Sequence, residues 1–158
     1  MEIVHWAINL FLLALLFLFM IDGLTFLWVR RVYYMVYSLV IGTTPHCVVM
    51  IDVDDFKSIN DIYGHRAGDR VLRKIGNILF KRSGGRAFRY GGEEFIILLP
   101  WTNSQKAFTL AETIRREVEA KVNVTVSIGI GRFEDEADKA LYRAKENGKN
   151  RTRIFESG

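Results

Sequence analysis

The sequence holds a single cysteine, Cys47, among 158 residues. That excludes an internal disulfide framework and suits a reducing compartment. Cys47 sits in the apolar run Cys47–Ile51, where a small buried thiol is expected. There is no internal repeat and no low-complexity tract. No long run of one charge sign occurs either: the basic residues are scattered among acids, which argues against a nucleic-acid partner. No Lys or Arg precedes the apolar start of the chain and no small-x-small site follows it, which argues against a cleaved signal peptide. A chain of this length is expected to hold one domain and little else.

Hydrophobic residues make up 49% of the chain and charged residues 25%, enough apolar material for a real core. The net charge is +4. Residues 1–41 are neutral, with Arg30 and Arg31 against Glu2 and Asp22, so the whole excess lies in the remainder. Ile3 to Ile21 is nearly all Leu, Phe, Ile and Ala, interrupted only near its start by His5, Trp6 and Asn9. Such a stretch is long enough to span a bilayer as a helix. Trp6 and Trp28 would mark the interfaces, and Arg30-Arg31 would keep the rest of the chain in the cytoplasm. The competing reading is a buried or oligomer-forming helix. The expected organisation is an apolar N-terminal helix over 1–21 and one domain over 22–158.

Beyond the apolar segment, Asp22 to Ile41 reads as helical and is broken by Gly42-Thr43-Thr44-Pro45. His46–Ile51 reads as a buried strand ending in acids. The spacing of Val71, Leu72, Ile75, Ile78 and Leu79 predicts a helix over 67–81. Ala87–Tyr90 and Glu94–Leu99 read as strands joined through Gly91-Gly92. Asn103–Ala120 reads as a helix, and the alternation Val122, Val124, Val126, Ile128, Ile130 predicts a half-buried strand. Glu136–Asn147 is a last helix, closed by Gly148, and Arg151–Phe155 an edge strand. This order implies an α+β fold around one central sheet.

Two acidic clusters stand out. In Asp52-Val53-Asp54-Asp55, three carboxylates end a buried strand, and alternation puts Asp52 and Asp54 on one face. Such a group repels itself and calls for a cation; Mg²⁺ is the usual one where phosphates are handled. In Gly91-Gly92-Glu93-Glu94, two acids follow a turn whose glycines allow close approach to the backbone. Taken singly, each cluster is equally consistent with an ordinary acidic turn.

Together they carry a resemblance. Asp52-Val53-Asp54-Asp55-Phe56-Lys57-Ser58-Ile59-Asn60-Asp61 is similar to the D-x-D-x-F-K-x-x-N-D segment of the GGDEF family of diguanylate cyclases. Tyr63-Gly64-His65-Arg66-Ala67-Gly68-Asp69 resembles its F/Y-G-H-x-x-G-D, and Gly91–Phe95 its signature G-G-[DE]-E-F. Val126–Gly129 and Ala137–Lys145 resemble S-I-G and A-D-x-A-L-Y-x-A-K. Asp22-Gly23-Leu24-Thr25 with Arg30-Arg31 resembles D-x-L-T-G-L-x-N-R-R. The resemblance runs from Asp22 to about Phe155.

The resemblance implies a palm-like α+β domain with a mostly antiparallel sheet flanked by helices. It implies condensation of two GTP to cyclic di-GMP and two pyrophosphates by a homodimer, with Mg²⁺, or Mn²⁺ in its place, as cofactor. Asp52 and Glu93, with the Val53 carbonyl, would hold the metal. Glu93, Glu94 and Lys57 would be catalytic. Asn60, His65 and Asp69 would line the nucleotide site, and an aspartate suits guanine, which offers N1–H and an amine to one carboxylate. Gly91, Gly92, Lys57, Lys145 and Lys149 would meet the triphosphate. Without the resemblance the same residues read as caps (Asn60, Asp69), a loop residue (His65) and solvated helix-end cations (Lys145, Lys149).

Three departures from the family pattern matter. The inhibitory R-x-x-D stretch is Arg82-Ser83-Gly84-Gly85, with Gly85 in place of the Asp, so weak or absent product inhibition is expected. Phe26 and Val29 replace the Gly and Asn of the first motif. The interval from Gly129 to Ala137 is short. The rival readings are a catalytically inactive module that binds GTP or cyclic di-GMP, a membrane or oligomerisation protein, and a cyclase that uses adenine nucleotides.

Overall fold

The computed structural model describes residues 6, 8–12 and 17–156. Residues 8–12 and 17–18 are helical. The expectation of an apolar helix over 3–21 falls in part on 3–5, 7 and 13–16, which lie outside the described residues. Among those described, no helix is long and apolar enough to cross a membrane.

Six strands form one mixed sheet in the order β1-β3-β4-β2-β5-β6. They are β1 (Trp28–Val29), β2 (His46–Val53), β3 (Ala87–Arg89), β4 (Glu94–Pro100), β5 (Val126–Gly131) and β6 (Thr152–Ile154). The three inner pairings are antiparallel, and the two edge strands β1 and β6 run parallel to their neighbours. Five helices complete the domain: α1 (Arg30–Val40), α2 (Phe56–Tyr63), α3 (His65–Ser83), α4 (Ser104–Val122) and α5 (Glu134–Glu146).

Both faces of the central strand β2 are buried, which explains its unbroken apolar text. Cys47, Val49, Ile51 and Val53 point into one core layer with Leu72, Ile75 and Leu79 of α3 and Ala111 and Ile114 of α4. Val48 and Met50 point into the other, with Tyr33 of α1 and Ala137 and Leu141 of α5. Alternation places Asp52 at the end of this second series, on the α5 side.

The sequence reading differs from the structure in three places. The segment 56–63 is a short helix, α2, separated from α3 by Gly64 at φ +80°, a conformation that only glycine adopts readily. Residues 22–27 form a turn rather than helix, and α1 starts only at Arg30. The strand predicted from Val122 begins at Val126, because α4 runs through Val122 and stops at left-handed Asn123. The even spacing of Val122 and Val124 is a coincidence of a helix end.

Candidate active site

The register of the sheet assembles the acids. Asp52 of β2 lies opposite Glu94 of β4 on one side and Ser127 of β5 on the other. The alternation that faces Phe95 and Ile128 into the α3–α4 layer turns Glu94 and Ser127 to the α5 side, beside Asp52. The Val53 amide donates to the Glu93 carbonyl at 3.3 Å, which ties the signature turn to the end of β2. Asp52 is buried. Burial raises its pKa; Lys145 pulls it back in part, and the charges of Glu93 and Glu94 push it up again.

Helix α5 supplies the counter-charge. Gly129 and Gly131 present bare backbone beneath it: a Cβ at either would overlap backbone atoms of α5 around Ala137 and Leu141. The helix therefore lies directly on β5, and Lys145 near its end reaches Asp52, with Nζ 2.8 Å from the carboxylate. Just beyond, Lys149 pairs with Asp55 at 2.6 Å. The short interval between Gly129 and Ala137 is thus compatible with both lysines reaching the acids. Glu94, Asp138, Tyr142, Lys145 and Glu146 line a cleft of about 370 Å³ along this edge.

Asp54 has a different task from the one its spacing suggested. Its buried carboxylate accepts from Thr125 Oγ1 at 2.7 Å, Ser127 Oγ at 2.7 Å and the Asn150 amide at 3.1 Å. It is satisfied by neutral donors and does not need a cation. Lys149 and Asn150 both have left-handed backbones, at φ +59° and +44°, which is unfavourable for side-chain-bearing residues. Arg115 holds Asn150 Oδ1 at 2.7 Å from the other side. Asp54 and Arg115 together fix the strained loop that presents Lys149.

The signature turn is tied down by Arg89. Its guanidinium donates to both Asp22 oxygens at 2.9 and 3.0 Å, and to the Gly92 carbonyl at 2.9 Å. Asp22 also accepts from the Thr25 amide and hydroxyl at 2.8 and 2.7 Å. Burial acts to raise the Asp22 pKa, but these bonds from Thr25 and Arg89 outweigh it and hold the pKa below the usual carboxylate range. On the other flank, Tyr90 bonds Glu134 of α5 and Tyr34 of α1, and Arg30 stacks 4.2 Å from the Tyr90 ring. The Glu94 carboxylate folds back over Gly91, so a side chain there would displace it, whereas Gly92 faces open space.

Lys57, Asn60, His65 and Asp69 gather around the α2–Gly64–α3 junction. A Cβ at Gly68 would overlap the Asn60 amide, so glycine there gives Asn60 its place. Lys57, His65 and Asp69 are exposed, and among the described residues no ion pair joins them to the acidic row. Arg82 is paired with Glu117 of α4 at 2.5 Å, while Gly84 and Gly85 turn away at φ +63° and +78°.

No three His, Cys, Asp or Glu side chains among the described residues converge closely enough to hold a metal unaided. Asp52 nevertheless fits a cation: it is a buried carboxylate beside two more acids, and it already carries the ammonium of Lys145. Mg²⁺ suits such a partial shell, since it keeps waters and takes phosphate oxygens. Asp54, Asn150 and Arg89 escaped the sequence reading as site-builders. Only the alternation of Asp52 and Asp54 hinted at the first, and it did not show the donors that hold it.

Comparison with known proteins gives the family of the chain. The family model "Diguanylate cyclase, GGDEF domain" matches residues 20–151. Diguanylate cyclase A of Treponema denticola is 43% identical over 127 residues, covering 68% of this chain and 34% of that protein. Diguanylate cyclase DgcM of Escherichia coli is 47% identical over 123 residues, covering 67% and 30%. The chain thus spans about a third of the length of the curated relatives it matches. Among solved structures, the coiled coil and GGDEF domain of DgcB from Caulobacter crescentus, in complex with c-di-GMP, superposes with TM-score 0.88 at 27% identity, covering 97% of this chain and 94% of that one. The active GGEEF domain of a diguanylate cyclase from Vibrio cholerae gives 0.67 at 32%, covering 82% and 92%.

Proposed function

This chain belongs to the GGDEF family, and on that premise we propose that it is a diguanylate cyclase, joining two GTP into cyclic di-GMP with release of two pyrophosphates. The observation that carries the reading is the acidic row Asp52–Glu94 with Glu93 beside it, capped by Lys145.

In the proposed reaction, the 3′-oxygen of one GTP attacks the α-phosphorus of the other. A new P–O bond forms, the bond to pyrophosphate breaks, and the hydroxyl proton leaves. The same step repeated closes the ring. Lys57, Lys145 and Lys149 neutralise the triphosphate, against the backbone of Gly91 and Gly92. Asn60 and Asp69 read guanine, with His65 at the rim. Glu93 and Glu94 share metal support and acceptance of the proton. A divalent cation, Mg²⁺ or Mn²⁺, held by Asp52, the Val53 carbonyl and Glu93, would supply charge neutralisation and a lowered hydroxyl pKa. One domain holds one GTP, so closure needs two chains face to face as a homodimer. The apolar residues 1–21 are the proposed tether to the cytoplasmic membrane, ahead of a cytoplasmic domain over 22–158. A wholly cytoplasmic protein is the alternative.

The test is incubation with GTP and Mg²⁺ followed by chromatography of the nucleotides. Cyclic di-GMP is expected, and Glu94→Gln should abolish it while GTP still binds. Folded, dimeric wild-type protein that binds GTP and makes no product would instead identify an inactive binding module.

A further inference from the structure

The basic residues look scattered in the sequence, but the helical period gathers them. Helix α3 holds six cations, Arg66, Arg70, Arg73, Lys74, Lys81 and Arg82, against the single acid Asp69, in a chain whose net charge is +4. At about 100° per residue, Arg66, Arg70, Arg73, Lys74 and Lys81 fall within an arc of roughly 100°. Leu72, Ile75, Ile78 and Leu79 occupy the opposite face and are buried. All five cations of the stripe are exposed, and among the described residues none of them makes an ion pair; only Arg82, outside the arc, has one. The stripe is about 22 Å long at 1.5 Å per residue. Five unpaired like charges in a row repel one another, so their favourable state is against a polyanion.

The surroundings say which polyanion. Gly76 packs against the turn at Thr25, where a Cβ would lie 2.8 Å from the Thr25 side chain and carbonyl. One helical turn either side of Gly76 stand Arg73 and Phe80. Phe80 is 53% exposed, and Phe26, next to Thr25, is 65% exposed. Phe26 is held at φ +59°, where a phenylalanine is strained. The segment leading into this turn exposes Leu10, Phe11, Phe17, Leu18 and Phe19. Cations bordered by exposed apolar side chains suit the boundary of a bilayer, where headgroups meet one and acyl chains the other. A nucleic-acid backbone would use only the charges.

We infer that α3 is a membrane-docking surface that lays its cationic stripe on anionic lipid headgroups, with Phe26 and Phe80 at its edge. The inference extends the proposed tethering and is independent of the cyclase reading, because binding is measured without nucleotide.

The experiment uses the full chain and a full-chain variant carrying Arg66→Gln, Arg70→Gln, Arg73→Gln, Lys74→Gln and Lys81→Gln. Both are sedimented with vesicles of neutral phosphatidylcholine and with vesicles containing 30% phosphatidylglycerol. The neutral vesicles report the apolar segment alone; the increment on anionic vesicles reports the stripe. The wild type should partition at least about a hundredfold more strongly onto anionic vesicles, following the energy of a surface cation near anionic lipid. The variant should lose that increment, and raised salt should erase it in the wild type. Circular dichroism should show the variant folded, since every substituted side chain is on the solvent face. Equal partition of the wild type on both vesicles overturns the inference. So does an anionic increment that survives in a folded variant, or tighter binding to an oligonucleotide than to the anionic vesicles, which would make the stripe a nucleic-acid surface.

Discussion

Replacing Lys145 with Met isolates the electrostatic strain at the heart of the site. Lys145 Nζ lies 2.8 Å from Asp52, whose side chain is 10% exposed against 39% for the lysine. At an effective dielectric constant near 20 the bare attraction is about 6 kcal/mol. Desolvation of Asp52 and solvent screening of the half-exposed lysine leave a net loss of about 1–2 kcal/mol on removal. For a domain of this size that is a fall in Tm of roughly 3–6 °C. The pH dependence gives the effect a signature. The folded-state pKa of Asp52 is raised, chiefly by burial, so the stability linked to this carboxyl is complete below the unfolded carboxylate pKa and is lost as pH rises through the folded one. Removing the lysine deepens that loss. The gap between wild type and Lys145→Met should therefore be small in acid, open through the carboxylate range and level off towards neutrality. Scanning fluorimetry across pH 4 to 8 measures it, and millimolar Mg²⁺ should narrow the gap at pH 8 by supplying the missing charge. A gap of the same size at both ends of the range would refute the pairing argument.

Other outcomes follow from the same geometry. Gly129→Ala should destabilise by about 3 kcal/mol or more, because the new methyl meets α5 backbone that cannot move aside; chemical denaturation reads this directly. Phe26→Gly should stabilise by up to about 1 kcal/mol through relief of its left-handed backbone, and an unchanged or lower Tm would show that the phenyl ring is packed. Arg89→Lys keeps the charge but loses the fork that joins Asp22 to Gly92, so turnover should fall about tenfold or more with Tm little changed. With Arg82 engaged by Glu117 and Gly85 in place of an acid, initial rates should be insensitive to low-micromolar cyclic di-GMP, and clear inhibition there would count against that reading.

What was legible in the sequence was whatever rests on periodicity or on local motifs. The two-faced burial of β2 and the amphipathic runs of α3 and α4 could be read from spacing, whereas the acids at Asp52 and Glu94 gained a meaning only from the resemblance that their motifs carry together. Helix α2 could not: Phe56–Tyr63 is eight residues long, rich in Asn, Asp and Ser, and held by its neighbours rather than by propensity. The role of Asp54 was hidden for a related reason. Its donors lie 71, 73 and 96 residues away, so only the closed sheet shows that it clamps the loop at Asn150. The cationic stripe on α3 is invisible along the line of the chain and forms only around the helix, where spacings of three, four and seven residues bring its cations onto one side.

The seam between β5 and α5 bears on how the protein is made. The two elements are near neighbours in the chain, and their bare-backbone contact forms locally, a kind of pairing that closes quickly. Yet β5 must also zip onto β2, which the ribosome delivers about eighty residues earlier. The acids of β2 and β4 are therefore translated well before Lys145 and Lys149. An unfinished chain carries the repulsion of its acidic row without the lysines that relieve it. Lys145 near the end of α5 and Lys149 just beyond it relieve that repulsion only after both acidic strands have been made, so the charge balance of the row is the last part of it to be completed.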